Sequence, residues 1–178
     1  VQRIGKTMVV VGDCAGFLVN RLLSPYMNEA GFLLLEVDDP MEIERAAIEF
    51  GMPMGPLELT DLVGIDVAAH VAENMHAAYG DRMQPAPLWQ RLKQLRGQNE
   101  ATDTRLLIKS GKKKRINPLV AGAIASMKRD ARISAAVPTK DAIIERLVYP
   151  IINEAARCLD ENIVERPEDV DLAMVFGT

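Results

Sequence analysis

Apolar residues at Val19, Leu22, Leu23, Tyr26, Ala30, Leu33 and Leu34 fall three or four positions apart, the spacing of a helix with one buried stripe. The pattern predicts a long helix from near Ala15 to about Glu36, bent at Pro25, whose ring removes one helical hydrogen bond. Asn20, Ser24 and Gly31 fall on another flank, where small and polar groups leave room for an approaching group; this flank is the candidate functional face. Asp39, Pro40 and Glu42 read as N-cap, first-turn proline and capping-box glutamate of a second helix that buries Ile43, Ala46, Ala47 and Phe50 and stops at Gly51. Pro56 opens a short helix ended by Gly64. Asp66 is placed to cap the next, with Val67, Val71 and Met75 inward as far as Tyr79, and Pro87 opens another with Leu88, Leu92 and Leu95 inward. Upstream, the β-branched and apolar run TMVVV at residues 7–11, ended by Gly12 and Asp13, predicts a buried strand. No partner strand lies near it, so it is expected to belong to a sheet outside this chain and to be orphaned, frayed or borrowed here.

The first long helix recurs. Arg146, Leu147, Pro150, Asn153, Glu154, Ala155 and Leu159 repeat Arg21, Leu22, Pro25, Asn28, Glu29, Ala30 and Leu34 at one constant offset. The chain therefore holds one helical unit twice. Thr139 caps the second long helix, and Pro167 starts a short follower that matches the helix after Asp39. Between the copies, RLLIKSGKKKRI reads as either a hairpin turning at Ser110 and Gly111 or a flexible connector, and Asn117 with Pro118 caps a further helix to about Arg129. Sparse aromatic residues with abundant alanine, leucine and methionine fit packed helices, so the predicted class is all-α with a residual N-terminal strand.

Composition narrows the function. A net charge of -4 argues against nucleic acid as the main partner, and no apolar run approaches the roughly 20 residues of a membrane span. The first residues lack a charged-then-apolar leader, and because the chain opens on Val1 it is expected to be an excised piece. Cys14 and Cys158 are isolated and read as reduced, helix-buried thiols. His70 and His76, six apart on a predicted helix, point in different directions and do not make a metal pair, so no metal ligands are assigned. Glu29 and Glu154, each in an Asn-Glu-Ala run, read as structural, for instance capping a neighbouring element. The cluster Lys109, Lys112, Lys113, Lys114 and Arg115 reads as a solvated linker or, alternatively, a site for a phosphate-bearing ligand or a nucleic acid, the last disfavoured because no aromatic residue is interleaved. No G-x-G-x-x-G run occurs, so no cofactor-binding residues are assigned.

The runs GFLVNRLLSPYMNEAGFLLLE and FGMPMGPLELTDLVGIDV closely resemble the C-terminal half of the NAD-dependent 3-hydroxyacyl-CoA dehydrogenases, and ERLVYPIINEAARCLDE resembles the repeat of that half in multifunctional fatty-acid oxidation proteins. The resemblance implies the all-α fold of the 6-phosphogluconate dehydrogenase C-terminal domain in two copies. It divides the chain into residues 1–13, a remnant of a Rossmann domain; 14–115, the first copy plus linker; and 116–178, a truncated second copy. It further implies oxidation of (S)-3-hydroxyacyl-CoA to 3-oxoacyl-CoA with NAD. The cofactor, the catalytic histidine and its glutamate would lie in the companion Rossmann domain, leaving no catalytic residue here. Asn20, the asparagine of VNR, matches a family active-site residue that would bind the substrate oxygen, the alternative being a cap or brace for the first helix; Ser24 is a weaker substrate-binding candidate. Glu145 stands in the second copy where Asn20 stands in the first. Implied partners are an acyl-CoA substrate, the Rossmann domain, enoyl-CoA hydratase and thiolase components, and a second copy in a homodimer. The implied compartment is the bacterial cytoplasm, or the mitochondrion or peroxisome of a eukaryote. The rival reading is a non-catalytic helical interaction module.

Overall fold

The computed structural model describes residues 8–98, 102–111, 113–130 and 137–177. Among them the chain forms α1 (Val19–Leu33), α2 (Met41–Phe50), α3 (Pro56–Val63), α4 (Ile65–Tyr79), α5 (Pro87–Gln98), β1 (Leu107–Ser110), β2 (Lys113–Ile116), α6 (Pro118–Asp130), α7 (Lys140–Asp160) and α8 (Pro167–Gly177). The architecture is all-α with one small antiparallel hairpin, in which Leu107 faces Ile116 and Ser110 faces Lys113. The pair α1–α2 is repeated by α7–α8, as the duplication predicts, and α1 packs along α7.

Several boundaries depart from the apolar spacing, each for a local reason. Gly16 and Phe17 take left-handed backbone, with φ of 79° and 50°, so residues 15–18 form a turn and α1 begins only at Val19. A Cβ on Gly16 would overlap Met75 Cε and lie 3.0 Å from Arg21 N, which excludes other residues there. No such turn precedes α7, where Thr139 Oγ1 accepts from Ala142 N–H at 3.3 Å. The predicted strand is absent from residues 8–11: no strand pairs with them among the described residues, and Met8 and Val10 are exposed. Thr7 lies outside the described residues. In α4 the buried side is Ile65, Ala68, Ala69, Ala72 and Met75, whereas Val67 is exposed, and Asp66 pairs with Arg96 at 3.0 Å instead of capping the helix. The alanines let α4 lie close to its neighbours. Gly31 serves α5 in the same way, because a Cβ there would lie 2.6 Å from Ala86 Cβ and 2.7 Å from Trp89 Cε2.

The two copies hold one another by exchange. Leu18 and Leu22 of the first copy are buried with Cys158, Val164 and Val170 of the second. Ile143 and Leu147, the matching residues of the second copy, are buried in the core of the first. The charges exchange too. Arg21, fully buried, donates from Nη1 to Glu161 Oε2 at 2.7 Å, and from Nη2 to Glu161 Oε1 at 3.0 Å and Glu154 Oε1 at 3.3 Å. Arg146 donates from Nε to Glu29 Oε1 at 2.6 Å and from Nη2 to Glu36 Oε1 at 3.0 Å. Each copy's arginine thus reaches the same two glutamates of the other, the reciprocity of a two-fold interface contained in one chain. Glu29 and Glu154 therefore act structurally, as ion-pair partners across the copies and not as caps.

Two outcomes follow from this packing. Gly31→Ala lowers stability by about 2 kcal/mol through overpacking against Trp89, despite alanine's better helix propensity; the urea midpoint reads it, and an unchanged midpoint would contradict the close approach of α5. The Arg21 hydrogen bond holds the Glu161 carboxyl below its ordinary value of 4.5. Its stabilising contribution is full above that value and fades as pH falls through the lower folded one. Stability measured against pH should therefore fall less steeply below about pH 4.5 in Glu161→Gln than in the parent; parallel curves would remove Glu161 from the acid response.

Candidate functional site

The N-terminal turn of α1 has no side-chain cap on Leu18. Asn20, within that turn, is exposed, and among the described residues its amide has no hydrogen-bond partner. It neither caps nor braces the helix. Its carbonyl oxygen accepts Ser24 Oγ–H at 2.6 Å. Ser24 is buried and borders a narrow crevice with Met27, Asn28, Ala68, Val71, Ala72 and Trp89. The flank carrying Asn20, Ser24 and Gly31 is thus not one open face. Helices α4 and α5 cover Ser24 and Gly31, and Asn20 stays open at its end.

The turn beneath Asn20 is tied from several sides. Tyr79 Oη donates to Ala15 O at 2.8 Å, and Cys14 Sγ donates to Phe17 O at 3.1 Å. The Arg21 and Arg82 guanidinium carbons lie 4.3 and 4.8 Å from the Tyr79 ring centroid, a cation–π arrangement that fixes both ring and arginine. Burial, with the nearby Cys14, pushes the Tyr79 phenol up to about 12, so it keeps the proton it donates. Arg82 adds its own contacts, 3.3 Å to Glu154 and 3.6 Å to Glu161.

The other motif residues are engaged in the scaffold. Glu44 of α2 accepts from Leu57 N–H at 2.6 Å and so caps α3 from a neighbouring helix. A Cβ on Gly55 would run into that carboxylate, which explains the glycine before Pro56. Burial raises the Glu44 carboxyl against the backbone N–H groups of Leu57 and Glu58 that lower it. Tyr26 Oη donates to Met54 O at 2.9 Å. Asp61 accepts from Leu106 and Leu107 N–H at 2.6 and 2.8 Å and pins β1 to α3. A cleft of about 650 Å³ lies there, bordered by Glu58, Asp61, Arg105, Lys109 and Lys114; none of its lining residues is on α1. Lys114 pairs with Glu58, while Lys112 lies outside the described residues.

The titratable candidates stay apart. His70 lies 3.7 Å from Glu73, and His76 Nδ1 lies 3.0 Å from Gly80 O. Among the described residues no group of three or more histidine, cysteine or acidic side chains is placed to hold a metal. Burial raises the Cys158 thiol to about 11, so it stays protonated. Cys14 lies before α1, outside any helix, in contrast to the sequence expectation. Arg21, Tyr79, Glu44 and Asp61 are the residues that sequence reasoning passed over. The signal for Arg21 was present, since Arg21, Glu29 and Glu36 all recur at one offset as Arg146, Glu154 and Glu161.

Known proteins match this arrangement. The family described as 3-hydroxyacyl-CoA dehydrogenase, C-terminal domain, matches residues 16–106, which include Asn20, Glu44, Gly55 and Asp61. The fatty acid oxidation complex subunit alpha of Acinetobacter baylyi is 37% identical over 187 residues, covering 99% of this chain and 25% of the relative. That of Shewanella sp. (strain ANA-3) is 38% identical over 186 residues with the same coverage. The chain thus spans about a quarter of the length of these relatives. The crystal structure of 3-hydroxybutyryl-CoA dehydrogenase from Escherichia coli K12 superposes with a TM-score of 0.69 at 25% identity, over 97% of this chain and 52% of that one. The matched stretch carries Glu44, Gly55 and Asp61, whose contacts set the start of α3 and hold Leu106 and Leu107, and the chain belongs to the 3-hydroxyacyl-CoA dehydrogenase C-terminal domain family.

Proposed function

We propose that this chain is the substrate-side helical part of an enzyme that oxidises (S)-3-hydroxyacyl-CoA to 3-oxoacyl-CoA with NAD in fatty-acid β-oxidation. The observation that carries the reading is Asn20. It is exposed at the uncapped start of α1 with its amide unpartnered among the described residues, while the motif residues around it are engaged in packing and capping. An amide placed this way donates its N–H to the C3 oxygen of the acyl group, orients it, and bears the charge that oxygen takes on during reaction. Ser24, covered by α4 and α5, supports Asn20 through its Oγ–H on the Asn20 carbonyl oxygen at 2.6 Å.

NAD does not fit this chain, which has no G-x-G-x-x-G run and, among its described residues, only the two-stranded antiparallel hairpin for a sheet. We assign the cofactor, the proton-accepting histidine and its glutamate to a companion Rossmann domain of the same protein, with residues 1–13 as its remnant, 14–115 as the first helical copy with linker, and 116–178 as the second copy. When bound there, NAD takes the hydride from C3. An enoyl-CoA hydratase supplies the 3-hydroxy substrate by adding water across the double bond, and a thiolase consumes the 3-oxo product by cleavage. Among the described residues no helix is long and apolar enough to cross a membrane, and the bacterial relatives support a cytoplasmic site of action.

Asn20→Ala in the full-length protein lowers kcat/KM by about tenfold or more while leaving the melting temperature unchanged, because the side chain is exposed and unpartnered. Steady-state kinetics with a 3-hydroxyacyl-CoA and NAD reads the first and thermal unfolding the second; unchanged kinetics would remove Asn20 from the substrate site and favour a non-catalytic module. The isolated chain gives no turnover with the same substrates, and measurable NADH production by it would overturn the division of labour.

A further inference from the structure

The residues that flank Asn20 are packed on the second copy. The residues two before and two after it, Leu18 and Leu22, are buried with Cys158, Val164 and Val170. Val19 lies against Gly177, where an added Cβ would stand 2.8 Å from Val19 Cγ2. Gly12 N–H donates to Ile163 O at 2.7 Å. Arg21, next to Asn20, is fully buried in a two-bond fork to Glu161 with a third bond to Glu154. These ties matter because the helix start has no side-chain cap and is preceded by two residues in left-handed backbone. Within the first copy the Tyr79 and Cys14 bonds hold the turn that precedes it, and the second copy supplies the ties just named.

We propose that the second copy is the positioning element for Asn20, and that Arg21, held by Glu154 and Glu161, is the positioning residue. The inference rests on the reading of Asn20 given above and extends it: the copy that carries Glu145 in place of the asparagine contributes by aiming the other copy's amide. A planar guanidinium gripped at both terminal nitrogens resists rotation as well as translation, and an error of about 1 Å in a substrate-orienting group lowers turnover by up to about 100-fold. The duplication supplies its own control. Arg146 with Glu29 and Glu36 has the same chemistry at the same interface, but the residue before it is Glu145, which is exposed and bonds only Tyr149 Oη, at 3.4 Å, among the described residues.

The test uses the full-length protein and compares Glu161→Gln and Arg21→Lys with their counterparts Glu36→Gln and Arg146→Lys, each alone and the first pair also in an Asn20→Ala background. Glu161→Gln and Arg21→Lys should lower kcat and kcat/KM together by about tenfold, and should lower them no further when Asn20 is already alanine. Glu36→Gln and Arg146→Lys should lower the melting temperature and leave kcat within about twofold. The proposal is overturned if the two sets lower kcat equally, if Glu161→Gln leaves kcat unchanged, or if its effect persists in full without Asn20. Normal kinetics in Asn20→Ala alone would instead overturn the assignment of Asn20 itself, a result readable before any arginine or glutamate is changed.

Discussion

A guanidinium with no exposed surface, placed between two halves of one chain, is the constraint on which the rest depends. Arg21 can be buried only because Glu161 and Glu154 of the other copy meet it. Removing the guanidinium costs about 2 kcal/mol in lost charge-assisted hydrogen bonds, less than for an isolated buried pair, since Arg82 stays 3.3 Å from Glu154 and 3.6 Å from Glu161. Burial opposes the charge on Arg21, yet the Glu161 bond and the surrounding sulfur and carboxylate groups hold its pKa above the ordinary arginine value. Its Nε is buried without a hydrogen-bond partner among the described residues, so the grip is at the two terminal nitrogens. The same arrangement built from Arg146, Glu29 and Glu36 makes the interface reciprocal, and the exchanged pairs Leu18 with Leu22 and Ile143 with Leu147 make it apolar between the charges.

That interface explains why one copy is decorated and the other is plain. In the first copy, α3, α4, α5 and the hairpin are fastened around α1 by single well-placed groups: Glu44 on Leu57, Asp61 on Leu106 and Leu107, Tyr26 on Met54, and Gly31 beneath Trp89. Each removes a degree of freedom from the body that carries Asn20. The described part of the second copy contributes the long α7, its follower α8 and the carboxylates. Among the positions at which the copies differ is Asn20, which is Glu145 in the second.

The sequence made the duplication legible because identical residues survive at one offset, and helix limits were readable where proline, glycine and threonine mark them, as at Pro56, Gly64, Thr139 and Pro167. Pairing partners more than a hundred residues apart were not readable. Glu29 and Glu154 look like caps until the fold brings the other copy's arginine to them. The start of α1 was misplaced because Phe17 adopts a left-handed conformation that its residue type disfavours, held by the Cys14 and Tyr79 bonds. Spacing favoured Val67 over the alanines of α4 because it weighs size, whereas close helix packing selects smallness. The run at residues 8–11 has strand propensity without a ladder, and propensity alone does not pair a backbone.

The two copies fold as one body through Arg21 and its mirror, Arg146. The most direct measurement is urea unfolding of Arg21→Met, followed at once by fluorescence of Trp89, the single tryptophan, which sits in the first copy, and by far-ultraviolet circular dichroism, which reports all helices. The transitions should coincide and fall together by about 2 kcal/mol. Separated transitions, or a midpoint indistinguishable from that of the parent, would contradict it.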